Sequence, residues 1–254
     1  MKVTFLGTGT SQGVPVIACN CKVCRSTNPK DKRLRSSVLI EDEHTTVVID
    51  SGPDFRQQLL RENTQKLDAV VFTHGHKDHT AGMDDVRAFN YKQQRAMDIY
   101  ANAHTQEILK REFAYVFGER NYPGLPELTL HTIKPNEAFT VNTLTFRPIE
   151  VLHYRLPVLG FRVGDFTYVT DANFISDESK QMIKGSKVLV LNALRRESHI
   201  SHFTLRQAVE LAEELKADNT YFTHLSHQMG LHDELAAELP SHIQPAYDGL
   251  QIEI

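Results

Sequence analysis

The sequence has no tryptophan, no long apolar run and no block of like charge. A membrane span needs roughly 20 consecutive apolar residues, and no stretch approaches that length. The opening Met1-Lys2-Val3-Thr4-Phe5-Leu6-Gly7 runs straight into a strand-then-glycine pattern without a signal-peptide core, so a cytoplasmic chain with no membrane partner is expected. Lys and Arg total 28 against 32 Asp and Glu, a net charge of −4. That balance argues against a protein held to nucleic acid by bulk electrostatics, while leaving room for a local basic site. With 13 Gly, 10 Pro and no low-complexity tract, neither disorder nor a fibrous architecture fits. Hydrophobic residues make up 41% of 254 positions, about 104 side chains and enough for a full core. Two tallies exceed this ordinary background: 13 His, and three Cys packed between positions 19 and 24.

Short runs rich in Val, Ile, Phe, Tyr and Thr predict strands at Val3–Leu6, Thr46–Ile49, Ala69–Phe72, Leu144–Phe146, Phe166–Val169, Lys187–Leu191, Thr220–Phe222 and Leu250–Ile252. Helical spacing is clearest over Thr204–Lys216, where Thr204 can cap and Leu205, Ala208, Val209, Ala212 and Leu215 share a face. A second helix is predicted across His104–Phe117, with Ile108, Leu109, Phe113, Val116 and Phe117 inward. Strands with interspersed helices predict sheets covered by helices. No Ser/Gly/Pro linker divides the chain, so residues 1–254 read as one domain. Phe72-Thr73-His74 and Phe222-Thr223-His224 form a faint internal echo, each ending an apolar strand in His.

The sharpest motif is His74-Gly75-His76-Lys77-Asp78-His79, directly after the apolar run Ala69–Phe72. Four potential metal ligands occupy six positions. Neutral imidazole and carboxylate together suit Zn²⁺, Mn²⁺ or Fe, and ligands crowded on one loop can serve two neighbouring ions. A solvated polar loop would carry such residues without purpose, but loops braced by buried strands are where function concentrates.

This His-x-His-x-Asp-His pattern resembles the signature of the metallo-β-lactamase superfamily. The resemblance implies a four-layer αββα sandwich, two mixed sheets flanked by helices, with a dinuclear site between the sheets. It also implies that His153, Asp171 and His224 join the motif. One ion would be held by His74, His76 and His153, the other by Asp78, His79 and His224, with Asp171 bridging them. Two cations about 3.5–4 Å apart acidify a shared water into a nucleophile and polarise the atom attacked, so hydrolysis is the expected reaction. Asp50, in Val48-Ile49-Asp50-Ser51-Gly52, matches a strand-end Asp of the superfamily and is a candidate acceptor for a ligand imidazole, with turn capping as its plain alternative.

Cys19-Asn20-Cys21-Lys22-Val23-Cys24 places three thiols within six positions, where a disulfide is disfavoured in a cytoplasmic chain and a structural Zn²⁺ needs a fourth ligand. The Gly-rich start Leu6–Pro15, this Cys-x-Cys-x-x-Cys run and Arg33-Leu34-Arg35-Ser36-Ser37 are together similar to the PhnP group of phosphodiesterases. That resemblance supplies His227, three residues after His224, as the fourth ligand. It also makes His202 a non-ligand acid, because a protonated imidazole with a near-neutral pKa could donate to a departing alkoxide. Arg33, Arg35 and Arg87 are candidates for gripping a second phosphate, with solvated surface charge as the plain reading of each. The glycines at 7, 9 and 13 are spaced G-x-G-x-x-x-G before Val14-Pro15-Val16, which cannot open the helix a dinucleotide fingerprint requires. They are expected to form a turn loop near the metal site.

The expected function is a metal-dependent phosphodiesterase, and the resemblance to the PhnP group implies that it opens a small cyclic phosphate, of ribosyl 1,2-cyclic or 2′,3′-cyclic nucleotide type. His202, Asp78 and Asp171 would act in catalysis, with two divalent ions, Zn or Mn, and one structural Zn. A tRNase Z-like RNA phosphodiesterase is the nearest rival, and no glycine- and lysine-rich arm is visible for it. β-Lactam hydrolysis would leave the Cys run and His202 unexplained. A non-catalytic metal-binding carrier resembling PqqB is the rival of another class. The expected partner is a small phosphodiester rather than nucleic acid. A homodimer stays open, since homodimers are common among soluble chains.

Overall fold

The computed structural model describes residues 1–118 and 124–254. Strands β1 (Lys2–Gly7), β2 (Ser37–Glu41), β3 (Thr46–Ile49), β4 (Ala69–Val71), β5 (Met97–Ala101) and β6 (Leu128–Thr132) form one sheet. The second sheet contains β7 (Phe139–Val141), β8 (Leu144–His153), β9 (Leu156–Val163), β10 (Phe166–Tyr168), β11 (Val188–Asn192), β12 (Asn219–Thr223) and β13 (Ile243–Pro245). The last strand, β14 (Gln251–Glu253), returns to the first sheet beside β1.

The two sheets share one pairing scheme. In the order β14-β1-β2-β3-β4-β5-β6, the first three pairings are antiparallel and the last three parallel. In the order β7-β8-β9-β10-β11-β12-β13 the pattern is the same. Superposing the schemes matches β3 with β10 and β4 with β11. The Phe-Thr-His echo thus joins strands that are not equivalent, since one copy follows β4 and the other β12. The equivalent strand-end residues are Asp50, after β3, and Asp171, after β10.

Strands buried on both faces read as continuous apolar runs rather than alternations, which explains Thr46–Ile49 and Lys187–Leu191. Val47, Ile49 and Val71 point between the sheets and meet Phe146, Phe161, Phe166 and Val190. Their neighbours Val48, Val70 and Phe72 face outward, under a helical layer that contributes Phe55, Leu59 and Leu109. On the far side Leu189, Leu191 and Phe222 pack under Ala208, Leu211, Ala212 and Leu215. The result is a four-layer αββα sandwich, as the resemblance implies.

The helix Leu205–Leu215 has the predicted cap. Thr204 accepts from the N–H of Gln207, whose side chain reaches back to the N–H of Thr204, a reciprocal pair that stabilises a helix start by roughly 1 kcal/mol. The helix predicted over 104–117 is instead two, Ala103–Glu112 and Ala114–Phe117. Phe113 leaves helical geometry between them at φ −112° and ψ 40°, while its ring stays in the core. Among the described residues, no helix is long and apolar enough to cross a membrane.

Candidate metal centre

All seven predicted ligands converge at the C-terminal ends of strands from both sheets, the edge where α/β folds place their sites. The motif after β4 brings its three imidazoles together, with His74 ring centroids 4.5 Å from His76 and 4.3 Å from His79. The ring of His153, the last residue of β8, lies 5.1 Å from that of His76 and 5.7 Å from that of His74, so the first predicted set is brought side by side, while the ligand atom of His153 lies within 4.8 Å of those of Asp171 and His202. Asp78, His79, Asp171 and His224 offer ligand atoms within 4.8 Å of one another, which is the second set.

Asp171 stands between the sets. Its Oδ2 is 3.9 Å from His74 Nε2, while Oδ1 is 3.4 Å from His79 Nε2 and 3.1 Å from His224 Nδ1. Its backbone is held at φ +58°, and those of Asp50 and His224 at +65° and +57°. Left-handed backbone at a non-glycine residue costs about 1–3 kcal/mol and persists only where the surroundings enforce it, typically at functional sites.

The hydrogen bonds behind the imidazoles decide which nitrogen faces inward. Thr73 donates its N–H to Asp50 Oδ1 at 2.9 Å and its hydroxyl to Oδ2 at 2.8 Å. Because that hydroxyl proton is committed, His74 Nδ1–H donates to Thr73 Oγ1 at 2.9 Å. His79 Nδ1–H donates to Asp50 Oδ2 at 2.7 Å, and His153 Nδ1–H to the carbonyl of Ser201 at 3.0 Å. The Nε2 atoms of His74 and His79 are left buried with no hydrogen-bond partner. Buried polar atoms are rarely orphaned, so two unpartnered ring nitrogens aimed at a pair of carboxylates fit divalent cations. Asp50 thus takes the bracing role rather than the turn-capping one.

Electrostatics agree. Burial alone would push the His79 imidazole down, but the Asp171, Asp78 and Asp50 carboxylates hold its pKa well above the ordinary value. Burial would raise Asp171, yet His224 and His79 hold it well below the carboxylate range. His74 and His224 are pushed down by burial, as neutral ligands require. A site that strains this many protonation states without cations is built to receive them.

His202 lies at the same opening, its ring centroid 4.6 Å from His153 and 4.8 Å from His224. One of its ring nitrogens also falls within 4.8 Å of a ring nitrogen of His153 and a carboxylate oxygen of Asp171. The expected near-neutral pKa does not hold in the free protein: burial, then the His224 imidazole, push it down to about 3. A proton would reside there only once a negative substrate offsets both.

The second cluster also forms. Cys19 and Cys21 Sγ lie 3.3 Å from His227 Nδ1 and Cys24 Sγ 3.6 Å, all four ligand atoms within 4.8 Å. Cys21 caps the short helix Lys22–Arg25, and the Cys24 N–H above all, offset by burial and aided by His227, lowers its pKa to about 6. Burial raises Cys24 to about 11. A tetrahedral thiolate-imidazole set suits zinc. His227 opens the turn His227–Met229 just after β12, so the cluster ties the N-terminal loop to the strand that delivers His224.

The three arginines part company. Arg33 is buried rather than solvated, donating to Thr8 Oγ1 and the Ala246 carbonyl, so it braces the fold and touches no site opening. Arg35 pairs with Asp54 at 3.1 Å, and Arg87 lies exposed beside Asp84 at 3.5 Å. The glycine loop is the predicted turn, where Gly9 bridges to Arg35 and Leu225, and Thr10 Oγ1 sits 3.3 Å from His224 Nε2.

Sequence reasoning missed the bracing residues. Asn192, ending β11, accepts from the N–H of Ala172 at 2.7 Å and donates to its carbonyl at 2.9 Å, pinning the backbone that follows Asp171. Thr73, Ser36 and Thr10 hold His74 and His224, and a lone Ser, Thr or Asn carries no spacing signal of its own.

Residues 45–225 match the Beta-lactamase superfamily domain, and the chain belongs to that superfamily. Within it, a solved structure described as a new diphosphatase from the PhnP family is 42% identical, with a TM-score of 0.93 over 100% of this chain and 97% of that one. Zn²⁺-bound PqqB from Methylobacterium extorquens superposes with a TM-score of 0.83 over the full length of both chains, but at 17% identity it shares the fold alone. A protein of Porphyromonas gingivalis named octanoyltransferase is 40% identical over 99% of this chain. This chain spans only 51% of that relative, about half its length.

Proposed function

We propose that the protein is a metal-dependent hydrolase of phosphate esters, acting on a small cyclic phosphodiester. The observation that carries this reading is Asp171, whose two carboxylate oxygens face different imidazole sets, as a ligand shared by paired cations would. Divalent ions held there by His74, His76, His153, Asp78, His79, His224 and Asp171 would supply an acidified water and positive charge opposite the phosphoryl oxygens. The chain's own residues do the rest. Thr73 and Asp50 fix the ring orientations of His74 and His79. His202 lines the opening without an inward hydrogen-bond partner on Nδ1, placed to receive a proton as phosphate charge arrives and return it to the leaving oxygen. The Cys19, Cys21, Cys24 and His227 cluster would hold a structural zinc that stiffens the wall carrying His224.

A second reading, cleavage of a diphosphate, is favoured by the 42% identity to the PhnP-family diphosphatase. Acyl transfer, the activity in the Porphyromonas relative's name, calls for an acyl-accepting nucleophile. The three cysteines lie in the cluster with His227, and Lys77, the one amine in the motif, turns onto Glu112.

The test is turnover of bis-p-nitrophenyl phosphate with added Mn²⁺ or Zn²⁺, followed by a panel holding a 2′,3′-cyclic nucleotide, a ribosyl 1,2-cyclic phosphate and a dinucleoside diphosphate. Activity that disappears in His76→Ala and Asp171→Ala is expected. A metal-replete protein turning over none of these would leave the carrier reading standing instead.

A further inference from the structure

The seven ligands are unequally exposed. His74, His79, Asp171 and His224 are buried, whereas His76 is exposed and His153 partly so. The residues immediately after His153 therefore border the approach to the ions. They are Tyr154 and Arg155, the two-residue turn between β8 and β9, closed by the His153–Leu156 pair.

Tyr154 is an unexpected residue for that place. Its φ is +58°, at the first position of a two-residue hairpin turn, where Gly, Asn or Asp is the ordinary choice. Its side chain is 47% exposed, so core packing gives no return for the strain. The conformation is enforced from outside the turn. Asn173, two residues beyond Asp171, accepts the Tyr154 N–H at 2.6 Å, donates its own N–H to Leu152, and donates its side-chain amide to the Ile200 carbonyl at 3.3 Å. One side chain thereby fixes the turn relative to the segment that carries His202. Ile200 is itself 66% exposed, and the Arg155 guanidinium lies 5.1 Å from the Tyr154 ring centroid.

We propose that Tyr154 is a specificity-determining residue, an aromatic platform that stacks the flat base of a nucleoside phosphate whose phosphate enters the metal centre. This rests on the phosphodiesterase reading and narrows its substrate class to nucleoside esters. Strain retained at an exposed aromatic beside a catalytic opening points to a surface kept for a ligand. Stacking a base on an aromatic face is tolerant of base identity, so the platform selects nucleosides as a class. Arg155, whose guanidinium lies over the ring, adds positive charge there for an anionic ligand.

Binding separates this from a structural role. Calorimetric dissociation constants for adenosine 2′-phosphate and ribose 2-phosphate, which share a sugar monoester and differ in the base, are measured on the Mn²⁺-loaded protein. The wild type should favour the nucleotide, and Tyr154→Gly should shrink the ratio of the two constants about ten-fold, the order of one lost base stack. Tyr154→Phe should restore the ratio, and Tyr154→Gly should melt at or above the wild-type temperature because the turn is relieved. An unchanged ratio in Tyr154→Gly, or no preference in the wild type, overturns the platform. A protein that shows the preference yet hydrolyses no phosphate ester would sink the enzymatic reading and leave the platform intact.

Discussion

His79 Nδ1–H donates to Asp50 Oδ2 across 2.7 Å, between two side chains with no exposed surface. The pair sets the tautomer that turns Nε2 of His79 toward Asp78 and Asp171. Asp50→Asn keeps the shape but removes the charge, and outer partners of this kind are worth 10–100-fold in metal affinity. Chelator competition should show a loss of that order, most plainly for the ion that Asp78, His79 and His224 would hold. Unaltered affinity would demote Asp50 to a packing residue.

His202→Ala should keep both ions bound and slow turnover, by about 10²–10⁴-fold for esters with poor alkoxide leaving groups. The loss should be small for p-nitrophenol, which departs without a proton. Equal losses for both ester types would remove the acid role.

Cys21→Ser should cost one equivalent of zinc by plasma emission spectroscopy and lower the melting temperature, by about 2–4 °C for each kcal/mol of stability lost. An undiminished zinc count would mean that the thiols hold nothing.

A pH effect is predicted away from the metal centre. Burial raises the Asp248 carboxyl to about 6, although Leu34, Thr8 and Arg33 pull the other way. Between pH 4 and 6 the folded chain keeps a proton there that the unfolded chain has released, so this group's contribution to stability falls as pH rises. Asp248→Asn does not titrate. Its stability relative to wild type should therefore climb across that window by about 2 kcal/mol. Urea melts at pH 4, 5 and 6 would show it, and a flat difference would refute it.

The ligands were legible in the sequence because metal chemistry admits few residue types and the motif compresses four of them into six positions. The strand carrying the motif was legible because burial on both faces leaves an uninterrupted Ala-Val-Val run, whereas β8, which delivers His153, alternates in burial and was legible only at its start, Leu144–Phe146. Strands such as β5 and β6 escaped, since Met97–Ala101 and Leu128–Thr132 are edge-ward segments with mixed polarity. The depressed pKa of His202 was not legible either, being set by burial and then by His224, which comes from a distant part of the chain. Left-handed backbone at Asp50, Asp171 and His224 leaves no mark in composition.

Each sheet of the sandwich packs against its own helices, and the two meet at a common apolar seam capped by the His/Asp cluster. Four of the seven ligands ride on one sheet and three on the other. Any cation lodged there works as a rivet through both plates, so prising the halves apart and surrendering the ions become a single cooperative event.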